Sequence, residues 1–421
     1  MRNNIRFDLS DYLIHFFRDV DLNSGSSINL PEHCGFNSQH HANLIDARYL
    51  LRLSLRNYKL FASWSYRNGQ RTVYGDSPAV CFTDMPIAAY LDTGMKRLGR
   101  NEKIGLYALV FPKSHMFNAG SRPAIYALDN ASSITWYSRG GDERIIHESL
   151  LPLIEQYRYV TYIPQKVDWT HEREWRWPYR GDIDKYLSQI KEYGVSEDVE
   201  STPGLDLRTI NMIGGGVIVP FRSDIPVIAH DILTLIDQGI INKGAFKFII
   251  AMDNLPSLDR IFEPEKLLYY INENTFEFDI FFDLPESEVK SCANSVMQYV
   301  DDLLADESYF NTAFPKEYGN AWVWIQDNQS PTVRALVQAG LIKVNKEGRY
   351  LLDIKLGRRD WELRKKEAFA SHVADWLVNR FDLQATSFSV AGSYDYDRLP
   401  YYTDPLEEQH PFYNNTIEID W

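Results

Sequence analysis

Apolar residues in this chain come in short bursts. Leu13–Phe17, Ala79–Thr83, Gly105–Phe111, Val217–Val219 and Ala321–Ile325 are strand-length and bounded by turn-forming or charged residues. No run approaches the roughly 18 apolar residues that a membrane-spanning helix needs, so no membrane partner is expected. Strands of this kind must assemble into a sheet. Helical periods interleave with them, over 48–56, 86–98, 143–151, 225–238 and 359–381. The expected class is therefore α+β, with a mixed sheet in the N-terminal region and a separate C-terminal α/β domain. Hydrophobic residues make up 44% of the 421 and charged residues 24%, an ordinary folded composition that allows two or three domains.

Two composition shifts mark boundaries. Tyr193–Gly204 is polar and acidic, with Pro203 and Gly204, and reads as a loop or helix exit. Near Asp283–Glu288 a strand-like run over 276–282 ends and a helix begins at Pro285, where a first helical turn tolerates proline. We therefore divide the chain into 1–283 and 284–421. In the first region the strand readings continue over 122–128, 157–164 and 169–177. Gly214-Gly215-Gly216 precedes a strand, whereas a dinucleotide loop follows one, so a phosphate loop is not assigned there. In the second region Ser330-Pro331 starts a helix that stops at Gly340, and Asn345–Gly348 is a hairpin turn between 341–344 and 350–354.

The net charge is −14, and residues 283–421 hold 23 acidic side chains against 14 basic ones. Long-range steering toward nucleic acid is thus absent, and any phosphate contact has to be local. One local basic run, Lys355–Lys366, surrounds Trp361 and could contact phosphate or form a solvated helix face. Three scattered cysteines, Cys34, Cys81 and Cys292, make no disulfide framework, and the polar start at Met1–Asn4 has no signal-like apolar stretch; both suit a reducing cytoplasm. Glu32-His33-Cys34 with His40-His41 has metal-capable side chains but not the spacing of a zinc site, and no metal is assigned.

The densest polar constellation is Asp168–Trp177. Read as a strand, it places Glu172, Glu174 and Arg176 on one face. Such a row suits a site that holds ribose hydroxyls and stabilises a developing cation. It equally suits a solvated edge strand with cross-strand ion pairs. A second candidate is Thr83-Asp84, at the end of an apolar strand and the start of a helix, where ligand contacts and helix caps both occur. A third is His15-Phe16-Phe17-Arg18 on the first strand.

Taken in order, His15–Arg18, Leu60–Ser63, Ala79–Pro86, Gly105–Lys113, Gly120–Tyr126 and Glu172–Arg176 resemble the bacterial abortive-infection (AbiGi-like) phage-resistance proteins, over roughly residues 10–250. The same order is similar, more weakly, to the ADP-ribosyltransferase fold, although its middle strand reads Phe-Thr-Asp where that fold has Ser-Thr-Ser. The resemblance implies an anti-phage effector that uses NAD as a substrate. Glu174 would be the catalytic carboxylate and Glu172 would orient the acceptor. His15, Arg18, Arg67, Thr83, Asp84 and Arg176 would hold the NAD. The implied acceptor is a nucleic acid or a protein, with a phage-derived trigger or a toxin–antitoxin partner. A non-catalytic sensor or antitoxin is the alternative. A metal-dependent nuclease built on Asp84, Glu172 and Glu174 is a third reading.

Overall fold

Strand β1 (Tyr12–Phe17) has buried residues on both of its faces, so it requires cover on both. In a computed structural model it lies inside an eight-stranded sheet. The structure describes residues 10–21, 44–67, 70–98, 105–128, 136–137, 144–166, 168–193, 201–253, 255, 269, 272–273, 275–305, 317–356 and 360–398. Those residues fall into two compact units, the first within 1–225 and 243–276, the second within 226–242 and 277–413. The second unit thus begins near the boundary read at 284 and also takes in a segment from earlier in the chain.

The sheet of the first unit adds β2 (Ala79–Thr83), β3 (Tyr107–Pro112), β4 (Arg122–Pro123), β5 (Glu174–Pro178), β6 (Gly215–Val219), β7 (Phe246–Ala251) and β8 (Thr275–Glu277). Their spatial order is β8-β7-β6-β3-β1-β2-β5-β4. Within this sheet, among the described registers, only β6 and β7 pair in parallel; β1 is antiparallel to β2 and β3, and β5 to β2 and β4. One row across the sheet is Gly216, Val110, Ile14, Thr83 and Glu174. Opposed residues share a face, so this row defines one side. On that side Ile14, Ala108, Val110, Ile218 and Ile250 pack with Tyr90 and Leu91 of helix α2 (Ile87–Leu98). Helix α1 (Ala47–Arg56), capped by Asp46 through Tyr49 N–H at 2.6 Å, contacts β1 and β3. The glycines that open β6 serve packing. A Cβ on Gly216 would stand 2.0 Å from the Phe248 ring.

Three local expectations need correction. Residues 145–146 are a short strand, not part of a helix: the Gln156 side chain takes the Ile146 N–H (2.8 Å) and donates to the Ile146 carbonyl (2.6 Å), bonds a helix would have made internally. The run 122–128 breaks at Ala124 into β4 and a separate strand, Ile125–Leu128, which pairs in parallel with Tyr159–Tyr162. The run 276–282 is strand only at its start and continues as a 3-10 turn over Asp279–Phe281.

In the second unit β9 (Gly319–Ile325) is buried throughout. It pairs antiparallel with β12 (Ala385–Ala391) on one side and β11 (Tyr350–Leu352) on the other, and β10 (Ile342–Val344) closes the hairpin with β11. Ala321, Val323 and Ile325 face the apolar stripes of α4 (Glu286–Ala305), α5 (Pro331–Gln338) and α6 (Leu363–Phe381). Trp322, Trp324 and Phe388 form a cluster on the opposite face. Helix α3 (Ile225–Asp237) joins this unit through charge. Arg334 on α5 holds the Asp237 carboxylate with both terminal nitrogens, at 2.6 and 3.1 Å, and Tyr350 donates to the same carboxylate at 2.7 Å. Asn328 donates to the His230 carbonyl at 3.0 Å.

Both Arg334 and Asp237 are almost fully buried. Removing one partner leaves an uncompensated interior charge. Arg334→Met should therefore destabilise the second unit by about 3–5 kcal/mol, whereas the double change Arg334→Met with Asp237→Leu should recover most of that loss, measured by urea unfolding.

Candidate active site

The residues expected to carry chemistry converge only in part. Strand β5 starts at Glu174, not at Trp169. Ahead of it Thr170–Glu172 form a 3-10 turn, and Arg173 takes a left-handed backbone (φ 46°). The turn is fastened to the end of β2. Thr83 Oγ donates to the Glu172 carbonyl at 2.5 Å, Asp84 N–H donates to the Arg173 carbonyl at 3.1 Å, and Thr83 Oγ accepts the Met85 N–H at 3.2 Å. Glu172 is thus taken out of the alternation that would have put it on the strand face beside Glu174.

Glu174 lies directly across from Thr83, and Arg176 across from Cys81. Arg176 grips Glu174 with a two-point contact, Nε to Oε1 at 2.7 Å and Nη2 to Oε2 at 3.1 Å. Its remaining terminal nitrogen donates to the carbonyls of Tyr157 (2.7 Å) and Tyr159 (3.2 Å). The Arg176 side chain is 5% exposed and that of Glu174 16%, so the carboxylate is the more accessible partner. Burial works against the guanidinium's charge, but the Glu174 carboxylate overrides it and holds the Arg176 pKa above its ordinary value.

Two groups around Glu174 escaped the sequence reading. Tyr126 Oη accepts the Glu174 N–H at 2.9 Å, and burial pushes this phenol up to about 12, so it keeps its proton and can donate it. Burial, with Glu174 beside it and Glu172 nearby, raises the Cys81 thiol well above its usual range, which favours the neutral thiol. The only hint of Tyr126 in the sequence is the motif that contains it, because its strand lies outside the main sheet.

His15 and Arg18 lie elsewhere. Ile14, not His15, shares the face of Thr83 and Glu174, so strand alternation puts His15 on the other face. There its ring meets Phe17 and Phe82, with centroids at 4.8 and 5.7 Å, and Nδ1 donates to the Cys81 carbonyl at 2.8 Å. His15 and Arg18 border a small pocket with Leu50 and Phe61. Asp84 is separate again: Lys113 Nζ reaches it at 2.6 Å and the Trp175 indole N–H at 3.2 Å. Lys113 and Trp175 border a pocket of about 640 Å³ with Tyr12 and Phe117. Arg67 belongs to the short strand Tyr66–Arg67, and its side chain lies outside the described residues. So do Glu32, His33, Cys34, His40 and His41. Among the described residues no three His, Cys, Asp or Glu side chains cluster closely enough to hold a metal ion, so Asp84, Glu172 and Glu174 do not form a nuclease-type metal centre.

The set that does come together is Glu174, Arg176, Thr83 and Tyr126, with Glu172 bordering it. It offers a carboxylate fixed in direction by an arginine, and a neutral phenol donor. That combination can stabilise positive charge developing on a sugar and donate to a bound oxygen.

Burial lowers the pKa of His15 to about 4, against the opposing effect of its bond to the Cys81 carbonyl. The unfolded chain takes up this proton near 6.5, so between the two values the unfolded state binds more protons. Stability should be fully present above about pH 6.5 and fall as the pH drops toward 4. His15→Gln should flatten that slope in thermal unfolding measured across pH.

Residues 284–415 match a family model described as a protein of unknown function (DUF4427), a match confined to the C-terminal part of the chain. No curated protein and no solved structure matches the chain.

Proposed function

We propose that the first unit is an NAD-dependent ADP-ribosyltransferase acting as a cytoplasmic anti-phage effector, with Glu174 as its catalytic carboxylate. One observation carries the reading: Glu174 stands directly across from Thr83, on neighbouring strands, with the first strand next in the sheet. The ADP-ribosyltransferase resemblance implies such an order: a first strand that contacts the NAD, a middle strand that gives a hydroxyl, here Thr83, and a late strand that gives the catalytic carboxylate, here Glu174. Cleavage of NAD breaks the bond between the ribose C1′ and the nicotinamide nitrogen, and nicotinamide leaves with the electron pair. An acceptor nucleophile on nucleic acid or protein then bonds C1′ and loses its proton. Glu174 stabilises the oxocarbenium character at C1′ by accepting from the ribose hydroxyls, and Arg176 fixes its direction. Tyr126 donates to a ligand oxygen. Glu172, in the turn ahead of the strand, orients the acceptor and takes its proton. His15, on the opposite face, acts through the fold of β1 and not by touching the same ribose.

A second reading has one observation in its favour. Both Glu174 oxygens are engaged by Arg176, the arrangement expected of a structural ion pair in a non-catalytic sensor or antitoxin.

Labelled NAD separates the two. Wild-type protein, with phage lysate as trigger, should transfer label to one of three pools: DNA, RNA or cell protein. Glu174→Gln should reduce transfer by about a hundredfold or more. Because that change leaves Arg176 buried without its partner, Glu174→Gln combined with Arg176→Met serves as a folded control and should be equally inactive. Full NAD turnover by both variants would end the transferase reading. Absence of label and of nicotinamide release from the wild type would favour the sensor.

A further inference from the structure

On the second unit's sheet, the face turned away from α4, α5 and α6 carries an opening of about 350 Å³, within the range of small-molecule sites. It lies at the Asn320 end of β9, and its walls include Asn320, Trp322, Lys343, Lys355 and Tyr396. Three properties of these walls define a ligand. The first is aromatic surface. Tyr396, backed edge-on by the buried Trp322 with centroids 6.3 Å apart, and the exposed Tyr394 form that side. The second is positive charge. Lys343 and Lys355 are both exposed, and Lys343 Nζ sits 5.6 Å from the Tyr396 ring centre. One carboxylate, Asp353, borders the same opening; it accepts the Lys355 backbone N–H at 2.9 Å and lies 3.9 Å from Lys343 Nζ.

The third property is an unsatisfied amide. Asn320 is 5% exposed, and its side-chain oxygen has no hydrogen-bond partner. A buried amide oxygen left in that state keeps its desolvation cost uncompensated. An apolar side chain would fill the same strand position without that cost. Lys355 adds a similar signal, since it holds a left-handed backbone (φ 61°) that glycine would adopt without strain. Two positions poorly chosen for stability border one pocket.

We propose that this pocket binds a phosphorylated nucleoside, either as a free nucleotide or as part of a single strand. The base lies against the Tyr394 and Tyr396 rings, the Asn320 amide bonds its polar edge, and Lys343 and Lys355 hold the phosphate. Aromatic rings on a four-stranded sheet whose other face is covered by helices are a general platform for unpaired bases, and lysines beside them take the backbone charge. The site is separate from Glu174 and does not depend on the chemistry proposed there.

Calorimetric titration of the full chain tests this with the four nucleoside 5′-monophosphates, an oligothymidylate, an oligouridylate and phosphate-free adenosine and uridine. At least one phosphorylated probe should bind, and the matching nucleoside should bind about tenfold more weakly or worse. Binding of a free monophosphate identifies the nucleotide as the source; binding of an oligonucleotide alone identifies a single strand. Asn320→Leu and Lys355→Gly should each weaken binding by about tenfold while leaving Tm unchanged or higher, because neither removes an internal side-chain partner. If either lowers Tm, Lys343→Gln, at an exposed position, carries the same expectation. The proposal is overturned by no binding of any phosphorylated probe, by nucleosides binding equally well, or by affinities that these substitutions do not change. The last result would place the binding elsewhere on the chain.

Discussion

The buried guanidinium of Arg176 governs the architecture around the candidate site. A charge this deep in a sheet is tolerable only if nearly all of its donors are used. All three nitrogens are engaged: Nε and Nη2 donate to Glu174, and Nη1 donates to the Tyr157 and Tyr159 carbonyls. The same set of bonds therefore positions the carboxylate and ties β5 to the start of the strand over 159–162, whose partner strand carries Tyr126. The Tyr126 hydroxyl returns to the backbone of Glu174. Carboxylate, phenol and strand edge are thus one mechanically linked group.

That linkage has a chemical consequence. A carboxylate gripped at both oxygens is well directed and costs little reorganisation when charge develops nearby. It is also partly shielded, since each oxygen already accepts a charged donor. The proposed transferase and the sensor alternative differ on this one balance. The Glu174/Arg176 double variant is informative because it removes the carboxylate without leaving a buried charge behind.

The second unit handles buried polarity in two ways. Around Asp237 the charge is matched: Arg334 and Tyr350 hold the carboxylate and Asn328 donates to the Tyr350 hydroxyl, a connected set that attaches α3 to the unit. At Asn320 the amide oxygen is left open on an aromatic face. The first arrangement is what stability requires of interior charge. The second is understandable where a bound molecule supplies the missing partner.

The short apolar bursts by themselves determined much of the fold. Alternation and length defined β1, β2, β3 and β9; the Ser330-Pro331 start and the Gly340 stop bounded α5, because caps and left-handed glycines are local devices. The placing of Glu174 and Arg176 on one face was also legible, since residues two apart on a strand share a face; that they grip each other was not. Other features depended on contacts far apart in sequence. Residues 145–146 are not helical, and Gln156 takes both backbone bonds of Ile146. Glu172 left the strand row because Thr83, 89 positions away, fastened its carbonyl. His15 and Glu174 separated because antiparallel register set Ile14, and not His15, opposite Thr83. Register shifts of one residue exchange the faces of a strand, and no local pattern in either strand specifies the offset between them. The sequence therefore determined which residues lie on strands, and the tertiary structure decided which of them can meet.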